Sequence, residues 1–331
     1  MTRADVAAVI LWTGATLYAI FGGADFGGGF WDLVAGDAEK GARPRVLIQR
    51  SLTPVWEANH VWLIFILVVL WTAFPDAFGA IMSTLYVPLT LAAFGIVLRG
   101  AGFAFRKPFR SLQAQRAMGA TFALSSVLTP FFMGTVVGAI AAGNVLPGGG
   151  DAFSSWLAPL PLLTGAMFVA SGAYLAAVFL VGDARRSGEE DLEGYFVRRA
   201  LGAAVVAGAF AVAGIFALHS EARYVFDRLV DEGLPLAIVS GLCGAGVLAS
   251  LLRGWRRPLR PLAADAVAAV IWGWGVAQFP YLLPTSLKIT QSAAPPDTLA
   301  SVIVVFLVAA VVVLPALALL YWLSQRELLG E

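Results

Sequence analysis

The residues best suited to chemistry in this sequence stand together at the start of one apolar segment. Glu57, Asn59 and His60 precede the apolar run 61–74. That run is too short to cross a bilayer, which takes about 20 residues, so the helix must begin near Pro54. Polar groups are then held at the membrane edge or just inside it, where they are costly and commonly functional. Glu57 also has a purely structural interpretation, because an acid in the first turn of a helix is favoured by the helix dipole.

A second carboxylate lies deep inside the first apolar segment. Asp25 stands within the glycine-rich stretch 22–29, whose glycines predict close helix packing and not a phosphate-binding loop. No basic residue lies within this segment, so Asp25 must face protein, water or a cation, or carry a proton. We expect Asp25 and Glu57 to lie at comparable depth on neighbouring helices, where the two carboxylates could form a proton entry point.

The histidines and the cysteine limit the redox chemistry that this chain can carry. His60 follows Glu57 by three residues, so the two can share a helix face, and we expect His60 to support it by hydrogen bonding or packing. His219 falls at the end of the sixth apolar segment, on the opposite side of the membrane from His60, so the two histidines cannot form one bis-histidine haem site. Cys243 is the only cysteine, which excludes disulfides and thiolate clusters within one chain. Any multi-haem chemistry must therefore lie on a partner.

The composition is that of an integral membrane protein. Of 331 residues, 59% are hydrophobic and 13% are charged, against about 25% charged in soluble domains. A net charge of +1, with no basic run interleaved with aromatics, gives no indication of nucleic-acid binding. Nine apolar segments predict an all-α transmembrane protein without a soluble domain. They are 6–33, 54–74, 78–98, 117–142, 157–181, 197–218, 234–252, 262–283 and 299–324.

The connections between these segments differ in charge. Most of the 22 lysines and arginines fall in alternate connections, at 34–53, 99–116, 182–199 and 253–261. By the positive-inside rule these connections are cytoplasmic, which places the N-terminus outside and the C-terminus in the cytoplasm. The intervening connections around 75–76 and at 143–155 read as turn-like external loops, and two prolines in 279–284 are expected to end or kink the eighth helix.

A faint internal repeat accompanies this pattern. Gly23-Ala24, followed by Gly36-Asp37-Ala38, resembles Gly172-Ala173, followed by Gly182-Asp183-Ala184. The echo suggests a single transmembrane domain, 1–331, made of two four-helix units and one extra helix. The units would be 1–142 and 157–283, with the extra helix at 299–324.

Several motifs also stand in the order and spacing of one known family. They are ADFG at 24–27, PVWEANHVW at 54–62, AFP at 73–75, LRG at 98–100 with FR at 105–106, and FPYLLP at 279–284. On these motifs the chain resembles subunit II of cytochrome bd-type quinol oxidases. The family commonly has WDGNQVW where this chain has WEANHVW, so Glu57 stands where the family has aspartate. Two other family acids are replaced here by Gly22 and Ala104.

The resemblance implies a fold and a division of labour. The fold is nine transmembrane helices, arranged as two four-helix bundles and a peripheral helix. Subunit I carries haems b and d and the quinol-oxidising loop; subunit II completes the heterodimer in the bacterial inner membrane, sometimes with a small single-helix subunit, beside quinone and lipids. Subunit II also contributes to a proton path from the cytoplasm, a role that falls here on Glu57. The alternative is a secondary transporter, since repeats and intramembrane carboxylates suit that class too.

Overall fold

A computed structural model of the chain describes residues 1–36, 39–52, 56–106 and 111–325. The side chains of residues 52, 56–60, 106, 112, 115, 321–322 and 324–325 fall outside this description. Most of the described chain is helical, because long apolar stretches in a membrane must satisfy their backbone hydrogen bonds internally. The helices are α1 Arg3–Leu17, α2 Gly23–Leu33, α3 Ala42–Leu52, α4 Trp56–Ala73, α5 Pro75–Thr84, α6 Tyr86–Arg106, α7 Leu112–Ala141, α8 Pro159–Arg186, α9 Glu190–Glu221, α10 Arg223–Val230, α11 Leu234–Leu252, α12 Leu259–Gln278 and α13 Pro296–Gln325.

The first span is one helix interrupted by a π-helical turn. Thr2 and Asp5 form a reciprocal capping box at its start, which satisfies two backbone donors that a helix otherwise leaves free. The turn Tyr18–Gly22 then joins α1 to α2, and the whole element, Arg3–Leu33, is long and apolar enough to cross a membrane. Single π-turns of this kind occur frequently at functional sites.

The all-α membrane architecture is as predicted, whereas the count of nine spans is not reproduced. Seven helices in the described ranges are long and apolar enough to cross a membrane, and eight if the bent pair of α4 and α5 counts as one span. The predicted segment 262–283 corresponds to α12, which is not among these candidate spans. That helix ends at Gln278 and not at 283, because the chain then enters a short antiparallel hairpin, β1 Tyr281–Leu283 and β2 Leu287–Lys288.

The connection predicted around residues 75–76 is a sharp bend between two helices and not a loop. The axes of α4 and α5 differ by 118°, and Pro75 occupies the first turn of α5, where its missing N–H costs nothing. The third predicted span, 78–98, is therefore wrong in its boundaries: α5 ends at Thr84, and a separate span begins at Tyr86. By contrast, the predicted loop 143–155 does lie between α7 and α8.

Helix α8 is the centre of the packing, and glycine allows α2 to reach it. A Cβ atom on Gly27 would overlap the backbone carbonyl of Gly172, and one on Gly172 would come within 2.8 Å of the carbonyl of Gly23. The predicted packing role of the glycine-rich stretch is thereby confirmed. The two segments of the faint repeat, Gly23-Ala24 and Gly172-Ala173, thus face each other across this contact.

The last helix is peripheral. None of the most apolar window of α13 is buried inside the chain, and the helix packs along α1 and α4. Phe306 of α13 meets Phe65 of α4 with ring centroids 5.7 Å apart. An all-round apolar helix of this kind is stable only against lipid or another protein.

Candidate functional site

A buried ion pair joins α2 to α6. Asp25 is 1% exposed and Arg99 is 2% exposed. Two guanidinium nitrogens of Arg99 donate to the two carboxylate oxygens of Asp25, each at 2.9 Å. The Nη2 atom also donates to the backbone carbonyl of Asp25 at 3.0 Å. Bidentate pairs of this kind between arginine and a carboxylate are among the strongest charge-assisted hydrogen bonds.

The remaining faces of the guanidinium are also occupied. Its Nε donates to Ser126 Oγ on α7 at 2.9 Å, and Ser126 in turn donates to the carbonyl of Phe122 at 2.6 Å. The rings of Phe26 and Phe122 lie 4.8 Å and 4.7 Å from the guanidinium carbon, in range for cation–π attraction. Every polar atom of Arg99 is thereby satisfied, as a charge removed from water requires, and three helices are tied together at one point.

The start of α4 lies close to this ion pair. Trp62 of α4 packs in one buried cluster with Tyr18 and Phe26, and the same Phe26 ring covers Arg99. Tyr18 comes from the π-helical turn, and its hydroxyl donates to the sulfur of Met133 at 3.7 Å. The first turns of α4 and the Asp25–Arg99 pair therefore belong to the same region of the molecule.

The structure changes the interpretation of Asp25 and Arg99. The sequence showed no basic residue in the span of Asp25, and its partner comes instead from another span. Arg99 had been assigned to the charged cytoplasmic flank of the third segment, but it is fully buried. Ser126 and Tyr18 were not singled out in the sequence at all. The signal that could have found the pair is the occurrence of one acid and one arginine within otherwise apolar helices, since such groups pair in membranes.

The other predicted site residues are placed only in part. Glu57, Asn59 and His60 lie in the first turns of α4, but their side chains are outside the described residues. His219 lies in the last turn of α9, where its Nε2 is 2.6 Å from Arg223 Nη1. In the part of the chain that the structure describes, no three His, Cys, Asp or Glu side chains are grouped so that they could hold a metal ion.

Comparison with known proteins identifies the family. The family of cytochrome bd terminal oxidase subunit II matches residues 3–324, and the chain belongs to it. The chain is 20% identical to a protein of Bacillus subtilis (strain 168) named putative cytochrome bd menaquinol oxidase subunit II, over 98% of this chain and 96% of that one. It is 25% identical to cytochrome bd-I ubiquinol oxidase subunit 2 of Escherichia coli (strain K12), over 83% of this chain and 80% of that one.

The fold agrees with a solved oxidase. The structure of bd oxidase from Geobacillus thermodenitrificans matches this chain with a TM-score of 0.79, at 24% identity and over 98% of both chains. At that identity the likeness shows the fold alone. Together with the family match, it makes this protein subunit II of a cytochrome bd terminal oxidase, which is a membrane-bound oxidoreductase complex.

Proposed function

We propose that this chain completes a heterodimeric quinol oxidase with a haem-bearing subunit I, in which quinol is oxidised and oxygen is reduced to water. The single observation that carries the proposal is the family match along almost the whole chain, residues 3–324. The quinol substrate follows from the relatives, which are named as menaquinol and ubiquinol oxidase subunits. Haems b and d then belong to the partner, and this chain supplies packing surface and a part of the proton path.

The partner decides between this proposal and the secondary transporter. We expect the chain to copurify from bacterial membranes with a haem protein and to give the absorbance of b- and d-type haems. We also expect the purified complex to consume oxygen when quinol is added. A colourless homo-oligomer that moves a solute across liposome membranes would instead support the transporter.

The proposed orientation places the N-terminus outside and the C-terminus in the cytoplasm of a bacterial cell. Its support is the distribution of lysine and arginine among alternate connections. In this orientation the start of α4 and the end of α2 lie at the cytoplasmic side, where protons for oxygen reduction are taken up. The proposed arrangement in two four-helix bundles rests on the family and on the faint repeat.

Glu57 is the proposed proton carrier of this region. Both carboxylate oxygens of Asp25 accept hydrogen bonds from Arg99, so a proton added to Asp25 would disrupt that ion pair. Glu57 lies in the first turn of α4, in the same region and nearer the helix end. A relay needs a group that takes up and releases protons in each turnover. Asn59 and His60, two and three residues further along α4, are proposed to support it by hydrogen bonding or packing.

Replacing Glu57 by glutamine tests this role. Glu57→Gln keeps the shape of the side chain and cannot ionise, so we expect oxygen consumption to fall by about tenfold or more while haem content and spectra stay normal. Glu57→Asp is the matched control, because it keeps the carboxylate, and it should retain most of the activity. If Glu57→Gln turned over at the wild-type rate at every pH, Glu57 would have no part in proton transfer and would be only a favourable acid at the start of a helix. If the variant failed to assemble, the role of Glu57 would be structural.

A further inference from the structure

Arg199 is a partly buried arginine with no carboxylate partner among the described residues. Its polar contact is a weak donation from Nη1 to the carbonyl of Tyr195 at 3.4 Å. Each of the other described arginines that is buried or half-buried is paired with an acid. Those pairs are Arg45–Asp32, Arg99–Asp25, Arg228–Glu232, Arg256–Glu193 and Arg260–Asp183.

An arginine without a carboxylate partner is costly at the position of Arg199. It lies nine residues after the start of α9 at Glu190, which is about 13 Å along the helix axis at 1.5 Å per residue. The candidate span Glu190–Glu221 has 32 residues, or about 48 Å at this rise, whereas the hydrocarbon core of a bilayer is about 30 Å thick. Arg199 therefore stands near the membrane interface, where a charge is retained if it pairs with or reaches polar groups.

Aromatic rings hold the guanidinium in place. Its carbon lies 3.2 Å from the centroid of the Tyr195 ring and 5.8 Å from that of Trp31 on α2. Trp31 is itself fixed, because its indole nitrogen donates to the carbonyl of Ala173 on α8 at 2.8 Å. We name Trp31, Tyr195 and Arg199 the Arg199 site. The hydroxyl of Tyr195 is buried beside the guanidinium.

Three of the four acids at the start of α9, Glu189, Asp191 and Glu193, are paired with arginines, and the fourth, Glu190, is exposed to solvent. Arg43 of α3 donates hydrogen bonds to Asp191 and to Glu189, the latter at 2.9 Å, and these bonds, first the one to Asp191, raise the pKa of Arg43. Glu193 pairs with Arg256 at 2.6 Å. Exposed Arg198 adds a second positive charge beside the site. The local balance of charge therefore favours an anion.

The surface below Arg199 is apolar. Gly202 and Val206 lie three and seven residues further along α9, on the same face of the helix, and both are exposed. An anion bound at Arg199 would therefore continue onto an apolar helix face within the membrane. A phospholipid combines a phosphate with an acyl chain that can contact this apolar surface, whereas a free phosphate makes no favourable contact with it.

We propose that the Arg199 site binds the phosphate of an anionic phospholipid, with an acyl chain lying along α9 over Gly202 and Val206. The guanidinium supplies the charge and the hydrogen-bond donors, and basic sites between membrane helices are known to suit such headgroups. The site does not depend on the proton path or on which leaflet this end of the chain faces.

The test compares two neighbouring arginines in the purified oxidase complex. Native mass spectrometry follows the binding of phosphatidylglycerol, with phosphatidylcholine as the uncharged-lipid control, to wild type, Arg199→Gln and Arg198→Gln. We expect Arg199→Gln to weaken phosphatidylglycerol binding by about fivefold, as expected for one basic residue near the membrane surface, and Arg198→Gln to change it by less than about twofold. Equal losses in the two variants, or no loss in Arg199→Gln, would overturn the proposal.

A second measurement uses the wild-type complex and so does not depend on the folding of a variant. A photoactivatable phosphatidylglycerol should crosslink to peptides that contain Trp31 or residues 195–206, and excess phosphatidylglycerol should suppress the crosslink. Inorganic phosphate should not suppress it; if it does, the site takes phosphate as such and the lipid assignment is wrong. Crosslinks that map only to other helices would also contradict the proposal.

Discussion

Replacement of Gly27 by alanine is expected to cost the complex most of its haem signal. A Cβ at position 27 would overlap the carbonyl of Gly172 and approach the backbone nitrogen of Ala173 to 2.8 Å. Backbone atoms cannot relieve the overlap by changing rotamer, as a flexible side chain can, so α2 and α8 would have to move apart. Overpacking of a close-packed core costs about 1–3 kcal/mol and occasionally more, and we expect the upper end here. Haem absorbance per milligram of membrane protein measures the loss.

Gly100 provides the matched control. Among the described residues, no heavy atom lies within 4 Å of a Cβ built at this glycine, so Gly100→Ala should leave the chain itself undisturbed and the haem signal within about a tenth of wild type. The bulkier Gly100→Leu tests for contact with the partner subunit, because the described part of this chain leaves space around Gly100. A drop in assembly for Gly100→Leu with normal Gly100→Ala would place a partner surface there. Equal loss in Gly27→Ala and Gly100→Ala would contradict the packing argument.

Separation of the Asp25–Arg99 pair is the second large effect. Asp25→Asn or Arg99→Gln leaves one charge buried without its partner, which costs about 3–5 kcal/mol in comparable cases. We expect either variant to lose assembled, haem-containing complex, and the melting temperature of what remains to fall. Ser126→Ala removes only one hydrogen bond to Arg99 and should cost about 1 kcal/mol.

The double variant Asp25→Asn with Arg99→Gln separates charge pairing from proton transfer. Because it removes both charges together, it should be more stable than the sum of the two single losses predicts. Should Asp25→Asn instead assemble fully, melt normally and turn over slowly, Asp25 would belong to the proton path together with Glu57. A loss confined to assembly would leave Glu57 as the candidate.

The membrane class and most of the helices could be predicted from the sequence. Segments such as 234–252 are almost wholly apolar, and the structure has a helix with those bounds, Leu234–Leu252. The glycine-rich stretch around Gly27 was also correctly assigned to packing. These features depend on local composition, because a membrane helix satisfies its backbone within itself and needs no distant partner to form.

Boundaries and bends were less predictable. The stretch around Pro75 reads equally as a turn or as a helix start, and the 118° bend between α4 and α5 depends on what each helix packs against. The predicted end of the eighth span at 283 missed the hairpin, since Tyr281 and Leu283 are apolar and continue the hydrophobic pattern beyond the helix. Apolar composition alone does not distinguish these conformations.

Only the tertiary structure decided which charges meet. Asp25 and Arg99 are separated by 74 positions in the sequence, and the rule that assigns arginines to the cytoplasmic flank placed Arg99 there. The same rule explained Arg199, whereas the structure shows it between Trp31 and Tyr195 without an acid partner among the described residues. Sequence patterning records how often charges occur along a helix. Whether a charge is paired depends on which faces of different helices pack together, and that is determined by side-chain shape and by close glycine contacts such as that of Gly27 with Gly172.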